Sequence, residues 1–198
     1  MQKTMIVLLV LVVLPGCTSP VVEDVDIIQG ANDEELEGVN VVAKTLGREI
    51  DITSDYNLLD QAGNNSTLIL WAAAGCNGCH QWTEMIRQCM QNGTIQEDSN
   101  VVTIHRYPSF EQFQYVYDTY GNNSSDHYSP WPVLVPTESD TAWYAVSGEQ
   151  SSIPLSEAFN NPVTPTLQVI DSKGIIIWQS KTYYPDYSII EEALGALE

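Results

Sequence analysis

Residues 67 to 71, Thr-Leu-Ile-Leu-Trp, run apolar without alternation between a turn, Gly63-Asn64-Asn65-Ser66, and two cysteines, Cys76 and Cys79. A strand apolar on both faces must be covered on both faces, so it belongs at the centre of a sheet with layers packed above and below. The cysteines follow directly. Gln81 to Met90 then has helical composition, with Met85, Ile86 and Cys89 on its apolar side.

Elsewhere strands and helices alternate. Val39 to Ala43 and Arg48 to Thr53 read as short strands around the turn Leu46-Gly47. Val101 to Tyr107 reads as a strand, Phe110 to Tyr120 as an aromatic-rich helix closed by Gly121, and 121 to 130 as loop. Trp131 to Val135 reads as a short strand and Ser156 to Asn160 as a helical turn. Leu167 to Ile170 and Ile175 to Trp178 flank Asp171-Ser172-Lys173-Gly174, a strong hairpin turn. Ser188 to Leu197 closes the chain as an amphipathic helix. This order predicts an α/β fold with a mixed sheet.

The first residues bear on the compartment. Lys3 gives a short positive region, and Ile6 to Leu14 form an apolar stretch too short to span a bilayer comfortably. Leu14-Pro15-Gly16-Cys17 resembles the lipobox of secreted lipoproteins, which implies a signal peptide over 1–16, cleavage before Cys17 and a lipid on its thiol. Residues 17–38 are acidic and short of aromatics, and read as a tether. Residues 39–198 are then one domain, large enough for its own core.

Charge excludes some partners. The chain carries 7 Lys and Arg against 26 Asp and Glu, and cleavage removes Lys3. Such a field repels nucleic acid and anionic membrane surfaces. With Cys17 lipidated, three cysteines remain for an oxidising space, which points to one pair and one spare thiol rather than a disulfide framework. Five sequons, at Asn64, Asn65, Asn92, Asn122 and Asn123, fit an exported protein with exposed turns.

Cys76-Asn77-Gly78-Cys79-His80 allows a redox-active dithiol, half of a metal site, the haem-attachment tag, or a structural disulfide. Its place favours redox chemistry. A cysteine between a central strand and a helix lies where backbone N–H groups and the helix dipole stabilise a thiolate.

A second motif, Val163-Thr164-Pro165-Thr166-Leu167-Gln168-Val169-Ile170-Asp171 followed by Ser172-Lys173-Gly174, changes the weighing. Together with the strand, the cysteine pair and the helix, it resembles the thioredoxin superfamily, and within it the membrane-anchored TlpA-type thiol–disulfide oxidoreductases. Leu46 to Ile50, Trp131 to Val135 and Leu155 to Phe159 fall in the order of that pattern, over roughly residues 40 to 197.

The resemblance implies a thioredoxin-like mixed sheet flanked by helices, with an N-terminal hairpin and an insertion at about 121–152 before the cis-proline strand. It implies Cys76 as nucleophile, Cys79 as resolving thiol, and a cis Thr164–Pro165 bond that leaves the Thr164 backbone free to dock an extended substrate. It implies no cofactor, exported protein thiols or disulfides as partners, apocytochrome c among them, and a membrane electron donor.

The sequence departs from this pattern in three ways. Gly75 stands where the family usually has an aromatic residue, and Asn77-Gly78 replaces a dipeptide that often contains proline. Leu68 to Trp71 offers no buried acid, and His80 and Glu84 read as solvated helix residues. In the insertion, Tyr128, Trp131, Trp143 and Tyr144 read as packing, with a substrate groove as the second reading. Cys89 reads as a small apolar core residue.

Other chemistries stay open beside this one. A haem carrier would use His80 as axial ligand, with Met85, Met90, His105 or His127 opposite. A copper chaperone would need a distant histidine, and a structural zinc site lacks a second ligand pair. A non-catalytic module keeping the fold would use Cys76–Cys79 as a permanent staple.

Overall fold

The computed structural model of the chain describes residues 38–197. The expected signal peptide, Cys17 and all but the last residue of the tether lie outside them.

The sheet is organised around β4 (Thr67–Ala72), buried at every residue. Parallel to it on one side runs β5 (Asn100–His105), in register from Thr67↔Asn100 to Ala72↔His105. On the other side β9 (Thr166–Ile170) is antiparallel, from Thr67↔Ile170 to Trp71↔Thr166. With β6 (Val133–Leu134) and β10 (Ile176–Ser180) at the edges, the order is β10-β9-β4-β5-β6. The unbroken apolar run of β4 is thus the centre of a mixed sheet, as expected.

Alternate residues of β4 enter different cores. Leu68, Leu70 and Ala72 pack with Cys79, Trp82, Ile86 and Cys89 of α2 (Asn77–Gln91) and with Ile190 and Ala193 of α5 (Tyr187–Leu197). Ile69 and Trp71 face the opposite layer, where Val41, Ala43, Tyr56, Leu58 and Phe159 cover them. Burial of several such side chains, each worth roughly 1.5–3 kcal/mol, fixes the strand's register, because a slip by one residue would exchange the two cores.

That second layer differs from the expectation in detail. The leading hairpin exists, but β2 (Val42–Lys44) pairs with β3 (Asp55–Asn57) rather than with 48–53. Glu49–Asp51 is a short 3-10 turn instead of a strand. The preceding β1 (Val39–Asn40) joins β7 (Thr141–Tyr144) and β8 (Gln150–Pro154) in a separate three-stranded sheet. The stretch 121–152 therefore supplies the edge strand β6 and most of this second sheet. Short helices α1 (Leu58–Ala62) and α4 (Leu155–Ala158) complete the layer.

Phe110 to Tyr120 is less helical than read. It forms α3 (Phe113–Val116) and then a π-helical turn over Tyr117–Gly121. Among the described residues no helix is long and apolar enough to cross a membrane.

One polar side chain sits in the middle of the sheet. Gln168 is fully buried, accepts from Trp71 Nε1 at 2.7 Å, and donates to Phe159 O at 3.0 Å and Gln179 Oε1 at 2.8 Å. Each of its buried polar atoms is matched, which removes most of the desolvation cost.

Candidate redox site

β4 ends at Ala72, three residues (Ala73–Gly75) form a loop, and Cys76 caps α2. Cys76 and Cys79 are joined by a disulfide, with Cα atoms 5.2 Å apart. Cys76 is half-buried and Cys79 wholly buried. The Cys79 amide points at Cys76 Sγ, N to S 3.2 Å. An N–H aimed at that sulfur from the first turn of a helix favours negative charge on it once the bond is opened.

Side chains from two other elements hold the loop. The Tyr120 hydroxyl donates to Ala73 O at 2.8 Å. Glu111 accepts from Ala74 N through Oε2 and from Gly75 N through Oε1, both at 2.7 Å. His80 Nε2 lies 2.7 Å from Ala74 O. A carbonyl only accepts, so that nitrogen carries the proton. The reading of His80 as a solvated helix residue is thereby corrected: four residues after the cap its ring folds back onto the loop. Glu84 is exposed and accepts from Gln88.

Glu111 is the acid the sequence did not reveal. It comes from the turn after β5 rather than from the strand that feeds the cysteines, and no motif marks it. His105, the last residue of β5, places Nε2 2.8 Å from Glu111 Oε2. Burial pushes the Glu111 carboxyl up, but the amides of Ala74 and Gly75 and the His105 hydrogen bond outweigh it, so the group sits below its ordinary value. Burial pushes His105 down, against the pull of Glu111. At neutral pH the contact is therefore a neutral imidazole donating to a carboxylate, and one negative charge stays beside the loop.

His127, from the 121–130 loop, stacks on His80 with ring centroids 3.9 Å apart and planes at 14°. Burial and then the neighbouring His80 hold His127 below its usual value, against Asp126 and Glu84. Its Nδ1 is buried without a hydrogen-bond partner. Two backbone carbonyls of this loop, Tyr128 O and Asp126 O, accept from Arg87 of α2 at 3.1 and 2.8 Å. Among the described residues no three His, Cys, Asp or Glu side chains are gathered as a metal site.

The Thr164–Pro165 bond is cis. Thr166 pairs with Trp71, so the bond lies just beyond the end of β4, at the same end of the sheet as the cysteine loop. Pro165 is buried, Thr164 half-buried and Val163 exposed. On the other flank Trp82 Nε1 donates to Thr182 O at 2.8 Å. This brings Tyr183 over Gly78, where an added Cβ would meet the Tyr183 carbonyl oxygen at 2.6 Å. Gly78 is thus a seat for a crossing segment.

Tyr128 lies against Arg48, and Trp131 is buried with Nε1 donating to Thr103 Oγ1 at 2.9 Å. Both pack, as read. Trp143 and Tyr144 belong to β7 in the second sheet. Cys89 is a free, buried thiol of the α2 core, pushed up by that burial.

No protein-family model matches the sequence, and no curated protein matches it. Solved structures do. An exposed lipoprotein thioredoxin of Streptococcus pneumoniae superposes with a TM-score of 0.55 at 16% identity, over 80% of this chain and 99% of that one. A thioredoxin-family thiol:disulfide interchange protein of Chlorobium tepidum gives 0.54 at 14%, over 81% and 94%. A secreted disulfide oxidoreductase of Mycobacterium tuberculosis gives 0.51 at 13%, over 83% and 99%. By its fold, then, this chain is thioredoxin-like, with a CxxC disulfide at the start of the helix that follows its central strand.

Proposed function

We propose that the chain is an extracytoplasmic thiol–disulfide oxidoreductase that exchanges disulfides with exported proteins through Cys76 and Cys79. The observation that carries this reading is the asymmetry of the pair. Cys76 is reachable and receives an amide N–H at its sulfur, whereas Cys79 is enclosed by the core.

In the reducing direction the Cys76 thiolate attacks one sulfur of a client disulfide. An intermolecular disulfide forms, and the other client sulfur leaves as a thiolate that takes up a proton. The Cys79 thiolate then attacks Cys76 Sγ, closing the Cys76–Cys79 disulfide and releasing the second client thiolate. Two electrons pass to the client. In the oxidising direction a client thiolate opens the same disulfide at Cys76, and the steps reverse.

Thr164 and Pro165 would dock the client backbone beside the pair, since a proline offers no N–H there and an extended peptide can pair with the Thr164 backbone ahead of β9, in the manner of strand addition. Exported proteins would be the clients, apocytochromes c among them, and a membrane protein's cysteines would exchange electrons with the pair. The lipobox-like Cys17 supports a lipid anchor on the outer face of the cell membrane. The exposed lipoprotein and the secreted oxidoreductase among the similar folds fit that location.

The test is turnover of a disulfide-linked protein such as insulin with dithiothreitol as electron source. Cys76→Ser should abolish it, and Cys79→Ser should accumulate a mixed disulfide with the client. Wild-type protein without turnover, or Cys76→Ser with full turnover, would leave the pair as a structural staple.

A further inference from the structure

Gly75 and Glu111 occupy space that a larger residue at 75 would contest. A Cβ built on Gly75 would stand 3.3 Å from Glu111 Oε1, closer than a side chain there comfortably sits. The carboxylate fills that position and takes both consecutive amides, Ala74 N and Gly75 N, at 2.7 Å. It is itself oriented by His105 from the end of β5. Gly75 is bonded directly to Cys76, so this charge is anchored one peptide unit from the reachable sulfur.

We propose that Glu111 is a positioning residue for thiol–disulfide exchange, fixing the loop that presents Cys76 and, by its charge, making the Cys76 thiolate costlier to form. The proposal rests on the exchange reading above and adds the group that sets its balance.

Ala74 and Gly75 donate to Glu111, so these two N–H groups are unavailable to stabilise negative charge on Cys76, and the Cys79 amide is left to donate to that sulfur. The carboxylate also repels a thiolate forming beside it, and at a partly exposed site such a like charge is worth on the order of one pKa unit. The oxidised pair carries no charge and feels neither effect. Glu111 therefore disfavours the reduced, ionised form selectively and makes the pair a stronger reductant.

Other titratable groups border the loop. They are Tyr120 on Ala73 O, His80 on Ala74 O with His127 stacked behind it, and Tyr115, whose hydroxyl is 3.9 Å from the Gly75 Cβ position. All of them remain in Glu111→Gln, which changes one atom and removes one charge.

The full-length chain and its Glu111→Gln variant are reduced, and Cys76 alkylation is followed against pH. Each is then equilibrated with glutathione and its disulfide at a pH above the wild-type midpoint, where both reduced proteins hold Cys76 as thiolate. The reaction is balanced: the protein disulfide and two glutathione thiols give the protein dithiol and one glutathione disulfide. The tryptic peptide ending at Arg87 carries Cys76 and Cys79 and excludes Cys89, so its mass reads the pair alone.

The expected result is a fall of about one pH unit in the alkylation midpoint. The exchange equilibrium should move about tenfold toward the dithiol, equivalent to about 30 mV. Folded Glu111→Gln with both quantities unchanged overturns the proposal. Should that variant not fold, Gly75→Ala takes its place, because its methyl presses on Oε1. A shift of the same sign supports the proposal and no shift overturns it. Absence of turnover by the wild type on a protein disulfide would sink the enzymatic reading instead, and the alkylation midpoint would still decide the role of Glu111.

Discussion

Arg48 and Asp51 form a buried ion pair, Nη2 to Oδ1 at 2.6 Å, with 7% of the arginine side chain and none of the aspartate exposed. The same guanidinium donates to Tyr120 O at 3.1 Å, Ser129 O at 2.8 Å and Trp131 O at 2.7 Å. Asp51 in turn accepts from the Arg48 amide at 2.8 Å. One ion pair thus fastens the chain on both sides of the loop that carries His127, and Tyr120 then reaches the redox loop through Ala73 O.

Removing one partner of such a pair leaves the other charge buried and uncompensated. Asp51→Ala should therefore cost about 3–5 kcal/mol in urea unfolding. Lys44–Asp55, at 2.5 Å but with both side chains more than half exposed, provides the control, and Lys44→Ala should leave the midpoint unchanged. Equal effects for the two variants would contradict the burial argument.

Stability should fall on acidification in two stages. His105 and His127 both sit below their ordinary value in the folded chain, mainly through burial. A depressed histidine contributes fully above the unfolded value, about 6.5. That contribution is lost as pH falls through the folded value, because the unfolded chain takes up the proton first. Glu111 is also depressed, so its contribution is complete above the unfolded value of 4.5 and is lost below it. Denaturation midpoints measured between about pH 8 and 4 should decline first across the histidine range and again in the carboxylate range. A midpoint that rises as pH drops from 7 to 5 would contradict this.

Gly78→Ala tests whether the segment after β10 must lie directly on α2. The new methyl would meet Tyr183 O at 2.6 Å and its ring at 3.1 Å. Alanine favours a helix over glycine by about 1 kcal/mol, so a gain in stability is expected where space is free. Here overpacking against backbone should reverse the sign and cost about 1–3 kcal/mol. A more stable Gly78→Ala would mean that the 182–183 segment gives way freely.

The sheet was legible because burial leaves a pattern. β4 is apolar on both faces, β9 and β10 flank an Asp-Ser-Lys-Gly turn, and the Thr164–Pro165 motif is local. The stretch 48–53 misled because Ile50 and Ile52 have strand propensity. Here, however, the polar Arg48 and Asp51 turn inward while Ile52 is 71% exposed, at φ +65°. Burial of the ion pair decided that segment, and propensity did not. The redox loop's supports were illegible for another reason. Glu111, Tyr120 and His127 reach the cysteines only through packing, and a single carboxylate after a strand looks like any solvated acid.

Cys89 should take no part in the exchange. It is 2% exposed in the α2 core, and burial pushes its thiol up, so little thiolate exists there at neutral pH. In the native, reduced chain iodoacetamide should label Cys76 well before Cys89, and Cys89 should react only once urea unfolds the domain. Cys89→Ala should keep turnover on insulin and lose some stability through the cavity it leaves. Peptide masses at timed quenches separate these sites, because Arg87 divides Cys79 from Cys89 in a tryptic digest. Native labelling of Cys89 at the rate of Cys76, together with lost turnover in Cys89→Ala, would instead make it a third thiol of the exchange.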